Sequence, residues 1–135
     1  MKKRVAVFGI FDGVHKGHRS LFSQAKKKGD ELFVIVGRDS TVLRLKKKKP
    51  RFSEKERLSM VLKEKLVDLA VFGDKELSTY KVIEKVKPNV ICFGYDQKRL
   101  FRDCKKWIAA NKKKISVFCL KPFHPEIYHS SRLVS

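Results

Sequence analysis

Acidic residues are scarce in this chain: 14 Asp and Glu stand against 33 Lys and Arg, a formal net charge of +19 over 135 residues. Cysteine is scarcer still. The three thiols, Cys92, Cys104 and Cys119, are odd in number and lack C-x-x-C spacing. That argues against a disulfide framework or a zinc site and predicts a reducing cytoplasm as the setting. No apolar run approaches the length of a membrane span. The basic start Met1-Lys2-Lys3-Arg4 runs straight into an apolar segment, with none of the h-region or cleavage pattern of a secretory leader. There is no internal repeat and no low-complexity linker, so the length predicts one domain over residues 1–135.

What the chain does have is a normal hydrophobic share, 42%, arranged as short apolar runs that alternate with helical patterns. Strands are expected over residues 4–9, 32–36, 67–72, 89–93 and 115–120. Helices are expected over residues 18–28, from Ser53 onward, over 79–86 and over about 100–111, with a helical turn early in the 38–50 loop. Leu21, Phe22 and Ala25 form an inner stripe on the first helix, and Gly29 is its expected C-cap. Ser53 and Glu56 fit a capping box ahead of the apolar face Leu58, Val61 and Leu62. Strands apolar on both faces call for a parallel sheet covered by helices on both sides, an α/β fold. Cys92 and Cys119 fall in such runs and read as buried thiols.

In a sheet of this type, ligands bind beyond the carboxyl ends of the strands. Polar, glycine-rich residues collect there: Gly9–His18 after the first strand, Arg38-Asp39-Ser40 after the second, Gly94–Gln97 after the fourth and His124–Arg132 after the fifth. The stretch Gly9-Ile10-Phe11-Asp12-Gly13-Val14-His15-Lys16-Gly17-His18 is the most informative. It joins a strand to a helix N-terminus, where backbone N–H groups and the helix dipole favour an anion. His15 and His18 add imidazole donors where a phosphoryl transition state gathers negative charge. His-x-x-His without a third ligand at suitable spacing gives no metal site. Phe11, Phe93 and Trp107 read as core, and Asp12 as a cap on its own turn.

That stretch resembles the signature of the cytidylyltransferase-like nucleotidyltransferases, G-[TS]-F-D-x-x-H-x-G-H after the first strand. Within that superfamily, Gly37–Val42, Glu54–Val61, Val67-Asp68, Lys87–Ile91, Gly94-Tyr95-Asp96-Gln97 and His129-Ser130-Ser131 resemble archaeal-type FAD synthases. The resemblance implies a Rossmann-like, doubly wound sheet of about five parallel strands with helices on both faces. It implies transfer of AMP from ATP to FMN, giving FAD and pyrophosphate, with a divalent cation, usually Mg²⁺. It also implies roles for particular residues. His15 and His18 would be catalytic; Ile10 and Phe11 would meet the nucleotide through backbone, beside Lys16 and Gly17; Asp96 would contact the ribose or base. Ser130 and Ser131 would bind the β- and γ-phosphates, and Lys46, Arg57 and Arg132 would add charge around them.

The chain departs from the pattern at Ile10, where Thr or Ser is usual, and at Lys16, where proline is common. Relatives often continue into a helix beyond the position of Ser135, and they are often dimers, so a homodimer is allowed. Two other readings stand beside this one. A cytidylyltransferase acting on glycerol 3-phosphate or another small phosphorylated alcohol shares the signature. A non-catalytic, basic RNA-binding protein would explain the charge, but no RNP, KH or helix-turn-helix pattern accompanies it, so nucleic acid is not the expected partner.

Overall fold

The computed structural model describes residues 2–76 and 79–122. Five strands, β1 (Arg4–Gly9), β2 (Glu31–Val36), β3 (Leu69–Phe72), β4 (Val90–Phe93) and β5 (Ser116–Cys119), form one sheet in the order β3-β2-β1-β4-β5. Every pairing is parallel. Five helices are described: α1 (Lys16–Lys26), α2 (Asp39–Lys46), α3 (Glu54–Leu62), α4 (Lys81–Val86) and α5 (Lys98–Ala110).

The period-2 alternation of strand side chains divides the core into two layers. Val5 and Val7 of β1, Leu32, Val34 and Val36 of β2 and Val90 and Cys92 of β4 face Phe22 and Ala25 of α1 and Val61 of α3. Ala6, Ile35, Ile91 and Phe93 face the other way, against Val82, Ile83 and Val86 of α4 and Cys104 and Ile108 of α5. The central strands are therefore apolar on both sides because helices cover both sides. The chain builds outward from β1 to β3, returns past the centre, and builds outward again through β4 and β5. The strand order reverses between β1 and β4, and a crevice opens at their carboxyl ends.

Local capping sets several boundaries. Ser53 and Glu56 form the expected capping box on α3, with Glu56 N–H to Ser53 Oγ at 3.2 Å and Ser53 N–H to Glu56 Oε1 at 2.9 Å. The early turn in the 38–50 loop is a full helix, α2, closed by Lys47 in the left-handed region at φ 56°. Two local expectations are corrected. Leu62 is 45% exposed, so of the expected apolar face α3 buries only Val61 fully, with Leu58 partly buried against the core. Gly29 is not a left-handed cap, since α1 ends through Lys27 in right-handed geometry. Glycine is needed there for close approach: a Cβ would lie 2.7 Å from Val5 Cγ2 and 2.9 Å from Lys3 O.

Candidate active site

The turn after β1 is shaped by Phe11. Its φ of 54° lies in the left-handed region, and its ring folds back over Gly9. A Cβ on Gly9 would lie 2.5 Å from Phe11 Cζ, so the first glycine of the stretch makes room for that ring. Phe11 is 3% exposed, packs against Phe22 at 5.5 Å and meets the His18 ring edge-to-face at 5.1 Å. Its ring backs one of the two histidines.

The two histidines cap α1 reciprocally. Gly17 N–H donates to His15 Nδ1 at 3.0 Å, and His15 N–H donates to His18 Nδ1 at 3.3 Å. An Nδ1 that accepts leaves the ring proton on Nε2. Each imidazole therefore takes a backbone N–H on one side and offers its own N–H on the other. The positive end of the helix is relayed through the rings rather than presented by those two amides. The rings stack at 3.8 Å between centroids, tilted by 19°. A Cβ on Gly17 would lie 2.9 Å from His15 Cε1, which explains why a glycine separates the histidines.

Burial, and next the neighbouring His15, pull the pKa of His18 down to about 4, against a smaller opposing pull from Asp96. His18 is thus neutral in the free protein at pH 7 and works as a dipolar donor. Full positive charge on this ring belongs to acid solution.

A cavity of about 750 Å³ lies over the carboxyl ends of the strands. Its wall holds Ile10, Phe11, His15, Gly17, His18, Lys46 and Asp96 from the predicted set. Distant stretches of sequence meet here because parallel strands end on one edge. The end of β3, from which no site residue was predicted, contributes Gly73 and Asp74.

The chain matches a known family over nearly its whole length. The cytidylyltransferase-like profile matches residues 6–134. The chain belongs to the cytidylyltransferase-like family. FAD synthase of Aciduliprofundum boonei is 40% identical over 131 residues, which cover 97% of this chain and 87% of that relative. FAD synthase of Methanocella arvoryzae is 37% identical over 134 residues, 99% of this chain and 94% of the relative. Among solved structures, a Thermoplasma volcanium protein described as a lipopolysaccharide core biosynthesis protein superposes with a TM-score of 0.84 at 35% identity. The match covers 91% of this chain and 99% of that one. Pantoate-beta-alanine ligase from Francisella tularensis, at 12% identity and a TM-score of 0.64 over 90% of this chain and 63% of its own, shares the fold.

Within this cytidylyltransferase-like site two expectations are corrected. Arg57 does not line the cavity. It is fully buried, and its guanidinium donates to Phe52 O at 3.1 Å, Ile10 O at 2.8 Å, Gly37 O at 2.7 Å and Asp39 Oδ1 at 2.6 Å. A planar fork of donors can join the β1 turn, the end of β2 and the starts of α2 and α3 in this way. Lys16 is the exposed first residue of α1 and is not part of the cavity wall. Ser130, Ser131 and Arg132 lie outside the described residues.

Asp12 also does something other than cap its own turn. Its carboxylate accepts from Arg51 N–H at 2.7 Å and Phe52 N–H at 2.8 Å, tying the β1 turn to the far end of the lysine loop. Burial raises its pKa, and those two N–H bonds with nearby Arg51 and Arg57 outweigh that and lower it overall. Gln97 was missed as an anchor: Gly94 N–H donates to its Oε1 at 2.7 Å and its Nε2 donates to Phe8 O at 3.1 Å, bridging β4 to β1. Gln24 holds Lys121 through both backbone groups, and Lys121 lines the cavity. A glutamine of ordinary spacing carries no signal of such long-range pairing.

Among the described residues no three His, Cys, Asp or Glu side chains converge to hold a metal ion. The described residues thus provide no cage for Mg²⁺, an ion that typically keeps several waters and binds through substrate phosphates and one or two carboxylates. No described helix is long and apolar enough to cross a membrane.

Proposed function

We propose that this chain transfers the adenylyl group of ATP to FMN, forming FAD and pyrophosphate. A phosphate oxygen of FMN attacks the α-phosphorus of ATP. The bond from that phosphorus to the oxygen bridging to the β-phosphate breaks, and its electron pair leaves with pyrophosphate. Such a displacement needs alignment and charge stabilisation more than a protein nucleophile. The observation that carries the reading is the pair of imidazoles fixed by backbone N–H groups at the mouth of α1, on the wall of the cavity that Asp96 shares. Their Nε2–H groups are fixed in tautomer before any ligand arrives, which is the arrangement that stabilises developing charge without reorganisation.

The relatives named FAD synthase supply the acceptor in this reading. Mg²⁺ belongs to it as an ion carried on the triphosphate. The free thiols Cys92, Cys104 and Cys119 suit a reducing cytoplasm. Purified protein with Mg²⁺ is expected to release pyrophosphate from ATP plus FMN and to form FAD. Release only from CTP with glycerol 3-phosphate would overturn the reading in favour of an alcohol-phosphate cytidylyltransferase. Salt-sensitive RNA binding that survives replacement of both histidines, without pyrophosphate release, would favour the nucleic-acid reading.

A further inference from the structure

The net charge of +19 is not balanced alike on every helix. On α1, Arg19 pairs with Glu64 and Lys26 with Asp68. α3 opens with Glu54 and Glu56 on either side of Lys55, and Glu84 of α4 pairs with Lys113. α5 has no such balance. It carries Lys98, Arg99, Arg102, Lys105 and Lys106, all exposed. None of the five is in an ion pair among the described residues. The one acid of the helix, Asp103, accepts from the Tyr80 hydroxyl at 2.6 Å.

At 3.6 residues per turn the five cations fall within an arc of about 120°, so they share one face, and the 13 residues of α5 run for about 20 Å. The opposite face, with Phe101, Cys104, Trp107 and Ile108, belongs to the core layer shared with α4. The cationic face works against the helix that carries it. Arg102 has Lys98 and Lys106 four residues away and Arg99 and Lys105 three away, spacings at which like charges repel. Lys98 and Arg99 stand in the first turn, at the positive end of the helix dipole, and that turn holds no acid. A polyanion laid along this face relieves both penalties.

The composition of the face selects the polyanion. A bilayer surface or a protein partner is held by apolar side chains on the docking face. The large hydrophobic side chains that are exposed among the described residues all lie outside α5. Single strands are held by aromatic stacking, and Phe101 and Trp107 are on the inner face, with Lys105 over the Phe101 ring at 5.2 Å. A row of cations alone matches the regularly spaced phosphates of a duplex. We infer that the outer face of α5 is a docking surface for the phosphate backbone of a nucleic-acid duplex, held without reading its sequence. The five cations are not in the cavity wall, to which α5 contributes Leu100, so this surface is separate from the active site.

The test is fluorescence anisotropy of a labelled DNA duplex titrated with the whole chain, from about 50 to 200 mM salt. Affinity is expected to fall with a log–log slope of about −4 to −5, the counterion release of five phosphates, and to be equal for duplexes of different sequence. Arg102→Gln with Lys106→Gln is expected to make the slope shallower by about 2, with pyrophosphate release from ATP and FMN unchanged. Both positions are exposed and glutamine is a good helix former, so the fold is kept. Lys98→Gln with Lys105→Gln gives a second reading of the same face. Lys48→Gln with Lys49→Gln removes as much charge from the exposed loop before Pro50 and is expected to leave the slope as it was. Equal losses from the loop pair and the α5 pairs would make binding a property of net charge and overturn the surface. Tighter binding to phosphatidylglycerol vesicles than to the duplex would overturn it too, as would no duplex binding at the lowest salt. Duplex binding is read without substrate, so it stands or falls apart from the reaction proposed above.

Discussion

Two sets of side chains brace the same turn, and both read in the sequence as charge for a phosphate. On one side His15 and His18 take backbone N–H groups at Nδ1 and leave their Nε2–H groups for a ligand on the cavity wall. On the other side Arg57 gives its guanidinium protons to three carbonyls and the Asp39 carboxylate, and faces no cavity. A histidine can accept on one atom and donate on another, so it is held by the fold and still has a hydrogen bond to offer. An arginine only donates, and a fully buried one has its donors engaged by the protein. Formal charge therefore says little about which group meets substrate; the direction in which its donors are engaged decides it.

The largest effect that would test this contrast is on stability. Arg57→Leu removes a fully buried guanidinium from the half-exposed Asp39 carboxylate and strands the carbonyls of Ile10, Gly37 and Phe52. A loss of about 1–3 kcal/mol for each carbonyl left unpaired is expected in denaturant unfolding. Arg57→Lys should recover only part of it, because a point charge cannot reproduce the fork. Wild-type stability with a raised KM for ATP would instead return Arg57 to the phosphates.

His18→Ala should behave in the opposite way. Turnover is expected to fall by about 2–4 kcal/mol of transition-state stabilisation, with unfolding changed far less than by loss of Arg57. Near-normal kcat would break the assignment of the histidines.

A smaller effect comes with acid. The His18 pKa is lowered from 6.5 to about 4, so between these values the unfolded chain binds a proton that the native ring refuses. The stability His18 contributes is complete above pH 6.5 and declines as the pH falls toward about 4. In the free protein, the ring resonances of His18 followed by NMR should remain those of neutral imidazole at pH 5.5. A midpoint near 6.5 would contradict the burial that distinguishes the histidine side.

The smallest effect concerns Lys16. It is the first residue of α1, it follows His15 in extended geometry at φ −130°, and it lies off the cavity wall. Proline is favoured at that helix position. Lys16→Pro should stabilise the fold by about 0.4–1 kcal/mol through the unfolded state, with the KM for ATP unchanged. A marked rise in KM would show that Lys16 reaches the phosphates after all.

Much of this was readable in advance, for specific reasons. Val5-Ala6-Val7-Phe8 and Val90-Ile91-Cys92-Phe93 are apolar at every position because both faces of a central strand are covered, and that pattern needs no tertiary information. Ser53 and Glu56 were legible as a cap because both partners lie within one turn. Gly9, His15, Gly17 and His18 were legible because their contacts are made within a ten-residue stretch. Residues whose partners are far along the chain were not. Gln97 meets Phe8 across 89 positions, Asp12 meets Phe52 across 40 and Arg57 meets Ile10 across 47.

The sequence by itself determined the parallel α/β layers, the strand-to-helix turn and the residue types of the phosphate-handling pair. These rest on periodicity and on contacts a few residues apart, which any short window of chain already contains. Tertiary packing settled which charged groups face the cavity, that His18 is neutral there, and that the carboxyl end of β3 joins the cavity wall. Burial and the engagement of a donor are properties of what surrounds a group, and here the surroundings come from strands distant in the chain and brought side by side by the sheet.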